Sequence, residues 1–431
     1  MLNRLVRLGA NEYVFGVLVK LVVIAFGLVQ TVAISRYLGP ELKGVLAYDL
    51  SIIGIGSVIM SFGLFDAYGY FKRLHSSGIS SGTSYVSVFM TNLWVIHALW
   101  LLVAICVLVM AMTFGIGGPS LAIYLLCIPL WSYSLNVGYV MLIESPNRRN
   151  AAFLAFGGLE VLIVVCILLL APRLYFLGFG TAVLMEALRA CYFTARGDYR
   201  AHLALFSWKH VCELIRFGFF PMVSVLLTTL NYRVDIVLLS NSVSVGAASV
   251  GVYSVGMALA DKATTVADSM REVLASRLAA GRGAGEVARV MRMTFALTLL
   301  VGFLIVLLGS PFFDLLYGEA FDGAYWVTVV TLGGTVWMVF FKMIAQYNVL
   351  MKRQVVNASL LLVGVVVNVV LNLALIPLLG MWGSALATMV SYMFTAGLFM
   401  VHFARRTDIA FGDMVFLRRE DWIGLRSLFG G

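Results

Sequence analysis

The sequence predicts an all-α membrane protein of about twelve transmembrane helices in two six-helix lobes around a central cavity. Three observations predict it. First, of 431 residues 61% are hydrophobic and only 12% charged, with mean hydropathy +0.98. A soluble domain carries about 25% charged residues, so the surplus apolar surface needs lipid. Second, the apolar residues gather into twelve runs, and the basic residues fall almost entirely on one set of the loops between them. Third, the two halves of the chain repeat. This composition excludes a cytosolic enzyme, a disordered chain and a fibre.

A helix needs about 20 apolar residues to cross ~30 Å of hydrocarbon. Runs of that length occupy 11–35, 45–70, 84–111, 119–143, 151–171, 174–194, 215–240, 247–270, 293–313, 324–350, 355–378 and 381–404. The spans at 174–194 and 247–270 carry internal charges. The first run holds Glu12 and Lys20 and lacks a small-residue cleavage site, so it reads as a retained span.

With the N-terminus in the cytoplasm, cytoplasmic segments hold 23 of the 30 Lys and Arg, counting Arg189 and Arg216 near the cytoplasmic ends of their spans. The outer loops hold three, Arg36, Lys43 and Arg173, and four more lie inside spans. This is positive-inside asymmetry for an even number of spans, with both termini cytoplasmic. It accounts for most of the net charge of +9 without nucleic acid as a partner. No cytoplasmic loop is much longer than the one at about 195–214, which leaves no room for a soluble catalytic domain. The tail, 405–431, mixes Arg pairs with Phe411, Phe416, Leu417, Trp422 and Phe429. It reads either as an amphipathic segment on the anionic leaflet or as a short ordered cap.

The five cysteines form no CxxC pair, and HExxH, GxSxG and Walker A patterns are absent. No catalytic residue, metal centre or cofactor is therefore expected, apart from a coupling Na⁺ or H⁺.

The repeat is visible in three pairs of segments. Lys43-Gly44-Val45 leads into the second span and Val250-Gly251-Val252 into the eighth. Arg148-Arg149-Asn150 opens the fifth, and Lys352-Arg353-Gln354 the eleventh. Pro172 with Gly180-Thr181-Ala182 marks the turn into the sixth, and Pro377 with Gly383-Ser384-Ala385 the turn into the twelfth. The offsets cluster near 204 to 207 residues. Six spans per half keep both halves in one orientation, which sets a pseudo-two-fold axis along the membrane normal. The expected lobes are 1–200 and 201–404.

Four cations lie deeper inside spans: Lys20, Arg233, Lys262 and Lys342. Facing lipid they would cost together about 10–14 kcal/mol on insertion scales, comparable to the net stability of a whole protein. They are expected to face a wet cavity, where they bind an anionic substrate, or to meet acidic partners. Glu12, Asp49, Asp66, Glu160, Glu186, Asp235, Asp261 and Asp268 are the acids available. Thr228, Asn231 and Asp235 share one stripe of the seventh span, with Arg233 about 200° round from Asp235. Asp261, Thr265 and Asp268 share another on the eighth, and Asn368 and Asn372 one face of the eleventh. Asp235 with Asn231, and Asn368 with Asn372, offer oxygen ligands to a small cation, and Thr388 adds a hydroxyl. A proton on Asp235 alone, or hydrogen bonding between helices with no ion, are the alternatives. Pro129 and Pro221 lie within spans four and seven, where a kink or hinge is expected.

Several stretches resemble one family. Arg36-Tyr37-Leu38-Gly39-Pro40-Glu41 is similar to its first outer loop. Asn231-Tyr232-Arg233-Val234-Asp235-Ile236-Val237-Leu238-Leu239 is similar to its Asp-x-x-Leu-Leu span, followed by Val250-Gly251-Val252-Tyr253-Ser254 and Arg277-Leu278. Asn368 to Asn372, Leu375-Ile376-Pro377 and Gly383-Ser384-Ala385-Leu386-Ala387-Thr388 are similar to its Asn-rich helix, Ile-Pro turn and final span. In order, these resemble the polysaccharide-transporter, Wzx-type branch of the multidrug/oligosaccharidyl-lipid/polysaccharide exporter superfamily. The resemblance implies a flippase, not an enzyme, that moves an undecaprenyl-pyrophosphate-linked oligosaccharide across the bacterial cytoplasmic membrane by alternating access. It implies membrane lipids, a polysaccharide polymerase and a chain-length regulator as partners. A multidrug exporter of the same superfamily is the alternative, and a membrane-embedded polymerase or glycosyltransferase ranks below it.

Overall fold

The computed structural model describes residues 12–76, 84–115, 119–170, 177–196, 203–279, 283–418 and Asp421. Among them the chain forms helices and no strand. The helices are α1 (Glu12–Ser61), α2 (Leu64–Ser76), α3 (Tyr85–Phe114), α4 (Pro119–Glu144), α5 (Pro146–Leu170), α6 (Leu177–Arg196) and α7 (Trp208–Ser240). They continue with α8 (Ala247–Ala263), α9 (Thr265–Ala279), α10 (Ala284–Tyr317), α11 (Ala324–Thr335), α12 (Met338–Leu350), α13 (Gln354–Leu379), α14 (Met381–Thr407) and α15 (Phe411–Val415). The physical reason is that lipid offers no hydrogen bonds, so each spanning segment must satisfy its own backbone.

Nine stretches among the described residues are long and apolar enough to cross a membrane. One of them, Val22–Leu74, takes in both the first and second expected spans. The two expected spans outside the nine are the charged ones. The first is α6, which carries Glu186 and Arg189. The second, 247–270, is not one helix: a turn at Thr264 divides α8 from α9, and Thr264 Oγ1 donates to the Asp261 carbonyl at 2.9 Å. Where described, all twelve apolar runs are therefore helical, and turns at Phe62–Gly63 and Val336–Trp337 divide the runs 45–70 and 324–350 as well.

The loop expected between spans one and two is a kink inside α1. Gly39 alone leaves helical geometry, at φ 69° and ψ 174°, and Pro40 restarts the helix. Glycine has no Cβ to resist positive φ, and proline needs no hydrogen-bond acceptor in a first turn. Gly309 repeats the device in α10, at φ 73° and ψ 171°, two residues before Pro311. Pro129 and Pro221 sit inside α4 and α7, and the non-helical breaks lie at the two glycines.

The chain divides into two compact units. The first takes in the chain up to Tyr37 and Tyr48–Thr229, and the second takes in Leu38–Ala47 and everything from Leu230. This division follows packing and falls inside α7, whereas the expected 200/201 boundary follows the loops. The first unit is built around Tyr68, Phe89, Leu93, Val140 and Phe193, all buried. The core of the second holds Leu239, Val250, Tyr253, Val327 and Ala385.

Within the second unit the sequence repeat becomes a contact. A Cβ on Gly44 would strike the Ala247 carbonyl, and one on Gly251 would strike the Pro40 carbonyl. Pro40 and Gly44 each stand 207 residues before Ala247 and Gly251. The two copies of the motif therefore touch reciprocally, as residues do across a two-fold axis. Small residues permit such backbone-to-backbone approach.

The tail is an ordered clasp as far as it is described; Trp422 and Phe429, like Arg4 and Arg7, lie outside the described residues. Arg292 of α10 grips Asp421 through Nε at 2.8 Å and Nη2 at 3.0 Å, and its Nη1 donates to the Asp413 carbonyl at 2.6 Å. Both side chains are buried. Burial pushes the Asp421 carboxyl up, but the Arg292 hydrogen bonds, the Arg418 amide and the Arg292 and Arg289 charges outweigh it and hold the group below the usual carboxylate range.

Two predictions follow from packing and charge. Gly251→Ala forces a methyl against backbone that cannot yield, and should destabilise the protein by about 1–3 kcal/mol. Gly54→Ala, which meets open space, should leave the melting temperature in the same detergent unchanged. Asp421→Ala strands a buried guanidinium and should cost about 3–5 kcal/mol. Because the Asp421 carboxyl titrates lower in the folded chain, its contribution is complete above the ordinary carboxylate range and lost as pH falls through the lowered value. Melting temperatures of wild type and Asp421→Asn should differ at neutral pH and converge on acidification.

Candidate functional site

The second unit buries a carboxylate. Asp235 of α7 has no solvent exposure. A lone carboxylate in an apolar interior costs several kcal/mol unless donors replace its water. Three donors do so. The Tyr253 hydroxyl of α8 donates to Oδ2, the Ile236 amide donates to Oδ1 at 2.8 Å, and Thr388 Oγ1 of α14 stands 3.4 Å from Oδ2. Thr388 Oγ1 also lies 3.1 Å from the Tyr253 oxygen. Local sequence explains the meeting. α7 and α8 are joined by a short turn, with Asp235 and Tyr253 at nearly equal distances either side of it, so an antiparallel pair brings them level.

A second run of polar groups joins the first. Asn368 Nδ2 of α13 donates to Ser391 Oγ of α14 at 2.8 Å, and Asn372 Nδ2 donates to Asn368 Oδ1 at 2.9 Å. Ser384 Oγ donates to Asn372 Oδ1 at 2.7 Å, and Ser391 Oγ donates to the Thr388 carbonyl at 3.1 Å, which joins the two runs. Every one of these side chains is fully buried. The α13–α14 hairpin turns at Gly380, which again sets Asn368 level with Ser391 and Asn372 near Ser384.

The residues singled out in the sequence separate into three groups. Asp235, Asn368, Asn372 and Thr388 lie in this one network. Asn231 is only 1% exposed on the same helix, yet neither amide atom has a partner among the described residues; its carbonyl accepts the Tyr392 hydroxyl at 3.2 Å. The cations stand apart from the network. Arg233 is exposed, consistent with its place on the far side of α7 from Asp235. Lys262 is partly exposed at the end of α8, beside Asp261. Lys342 is 7% exposed and meets both Asp268 oxygens at 2.9 Å, so it has the acidic partner rather than an open position. The Lys20 side chain lies outside the described residues. The stripe expected from Asp261 through Asp268 is interrupted by the turn at Thr264, which leaves Asp268 free to meet α12.

Tyr253, Ser384 and Ser391 escaped the sequence-based selection. Their signal is present: each lies at the hairpin level of a polar residue already noted. What the group can do chemically is limited and specific. It presents one carboxylate with hydroxyl and amide oxygens around it, a set that suits a hard monovalent cation or a proton. Among the described residues no cluster of three His, Cys, Asp or Glu gathers.

A profile of the family described as "Polysaccharide biosynthesis protein" matches residues 33–326. The chain belongs to this family. Its fold is shared with solved structures of low sequence identity. The lipid II flippase MurJ in an inward closed conformation superposes with a TM-score of 0.69 at 13% identity, covering 96% of each chain. An inward-facing multidrug resistance MATE family transporter of the MOP superfamily superposes with a TM-score of 0.67 at 14% identity, covering 88% of this chain and 93% of that one. A MOP superfamily transporter from Pyrococcus furiosus, described as having a binding pocket of reverse polarity, gives 0.54 at 15% identity, with 93% and 94% covered. The sequence matches no curated protein. The chain is thus a multi-pass membrane protein of the polysaccharide-biosynthesis family with the fold of these solved structures.

The network predicts energetic coupling between Asp235 and Tyr253. Tyr253→Phe should destabilise by about 1–3 kcal/mol, because it removes a charge-assisted donor. In a double-mutant cycle with Asp235→Asn, the two costs should fall short of additivity by about 0.5–3 kcal/mol, read from melting in one detergent. Strict additivity would mean that the pair does not interact.

Proposed function

We propose that the protein is a flippase for an undecaprenyl-pyrophosphate-linked oligosaccharide, an O-antigen or exopolysaccharide repeat unit, in the bacterial cytoplasmic membrane. The observation that carries the proposal is the polysaccharide-biosynthesis family match over residues 33–326. MurJ, a lipid II flippase of the same fold, supports a lipid-linked saccharide as cargo. The pyrophosphate enters as an anion, and cations must replace its water. Arg233 and Lys262 keep exposed surface for that role, while Lys342 is committed to Asp268. Asp235, with Thr388, Asn368 and Asn372 nearby, is the coupling site for Na⁺ or H⁺. Both termini are cytoplasmic, two lobes alternate access, and the product passes to a polymerase and chain-length regulator.

The test is reconstitution. Proteoliposomes loaded with a fluorescent lipid-linked oligosaccharide should show protein-dependent loss of lectin protection. Arg233→Gln should slow the flip at least tenfold without lowering the amount of folded protein. Extrusion of ethidium with no movement of the glycolipid would instead identify a multidrug exporter. Glycan elongation by the purified protein would identify an enzyme.

A further inference from the structure

One charged cluster lies outside the network and outside the cations assigned to substrate. It forms where the turn between α12 and α13 meets the end of α14. Lys352 is exposed there in a left-handed conformation, at φ 57°, and Arg353 follows as the residue before the first turn of α13. Arg405 and Arg406 occupy the last turn of α14, both exposed. His402 lies one turn back from Arg406, and the charges of both Arg406 and Arg353 reach its ring. Its Nε2 is shielded and has no partner among the described residues. None of the four basic residues has an ion-pair partner there either; Asp408, the acid next in sequence, forms no ion pair with them.

The positive-inside bias accounts for cations on this side of the membrane, but not for where each stands on its helix. Arg405 and Arg406 stand at the negative end of the α14 dipole, where cations are stabilised. Lys352 and Arg353 stand at the positive end of α13, where cations are disfavoured. No acidic residue occupies the first turn of α13, and no side chain caps it. Five cationic or ionisable groups are thus gathered with nothing negative among them, an arrangement that an anion would complete. The surface beside them is apolar: Val349, Leu350, Met351 and Val355 are all exposed. A ligand that matches both features has a phosphate head and a hydrocarbon tail.

We infer that Arg353, Arg406 and His402, with Lys352 and Arg405 at the rim, form a binding site for the phosphate of an anionic membrane phospholipid between α13 and α14. Basic pockets between helix ends hold such headgroups in membrane proteins. The apolar flank along Met351 and Val355 commits the site to a lipid over a free phosphate. This inference is independent of the glycolipid and of the coupling ion.

The test uses the full chain purified in a neutral detergent. Binding is read by native mass spectrometry and by the rise in melting temperature on adding phosphatidylglycerol, phosphatidylcholine or soluble glycerol phosphate. Phosphatidylglycerol should bind in preference to phosphatidylcholine, and glycerol phosphate should bind weakly. Arg353→Gln and Arg406→Gln should each weaken phosphatidylglycerol about fivefold, and the pair about 25-fold. Arg216→Gln, an exposed cation elsewhere, should change nothing. The double Arg353→Lys/Arg406→Lys variant guards against misfolding, because it should keep the preference for the anionic lipid. Equal binding of both phospholipids, or unchanged binding in the folded double Gln variant, overturns the proposal. Equal stabilisation by glycerol phosphate overturns the lipid assignment and leaves a site for free anions.

Discussion

The second unit depends on one constraint: a carboxylate with no exposure must be kept satisfied inside an apolar helix bundle. Asp235 meets that constraint through donors from two other helices, α8 and α14. Those donors are held in turn by the Asn368, Asn372, Ser384 and Ser391 run, so four helices share one set of hydrogen bonds. A fully satisfied network fixes register more sharply than apolar packing alone, because any slip leaves a buried group unpaired. The same property suits a switch. A bound cation or proton changes the charge at Asp235, and each helix that contributes a donor feels the change.

Charge is treated differently elsewhere in the chain. Lys342 and Arg292 are both buried, and each has an acid, Asp268 and Asp421 respectively. Arg233 and the arginines at the end of α14 are exposed and form no ion pair among the described residues, although the charge of Arg233 reaches Asp261. In a membrane protein, an unpaired cation with exposed surface is where anionic chemistry is expected. The structure thus distinguishes cations that hold helices together from cations available to a ligand, a distinction that composition alone does not make.

Much of the architecture was legible in the sequence because the bilayer imposes a length and a composition on every span. Helix existence followed from apolar runs, and the repeat paired Gly44 with Gly251, though their contact is seen only in the structure. The breaks were less legible. Gly39-Pro40 looks like a loop, yet one glycine suffices to bend α1 without ending it. Thr264 carries no breaker signal, yet the helix turns there. In the site, Asp235, Asn368, Asn372 and Thr388 were visible as polar residues in apolar surroundings. Tyr253, Ser384 and Ser391 were not, because hydroxyl-bearing residues are common in such helices and only the hairpin levels single these out. Periodicity also grouped Asn231 with Asp235, and a shared helix face does not establish a shared hydrogen bond.

The central claim is that the Asp235 network couples transport to a cation. The most direct measurement is the rate of glycolipid flipping in proteoliposomes under an imposed Na⁺ gradient, and then under an imposed pH gradient, for wild type and Asp235→Asn. The account predicts that one of the two gradients accelerates the wild type and that Asp235→Asn loses this acceleration while its folded yield is kept. Indifference of the wild type to both gradients, with Asp235→Asn equally active, would contradict it.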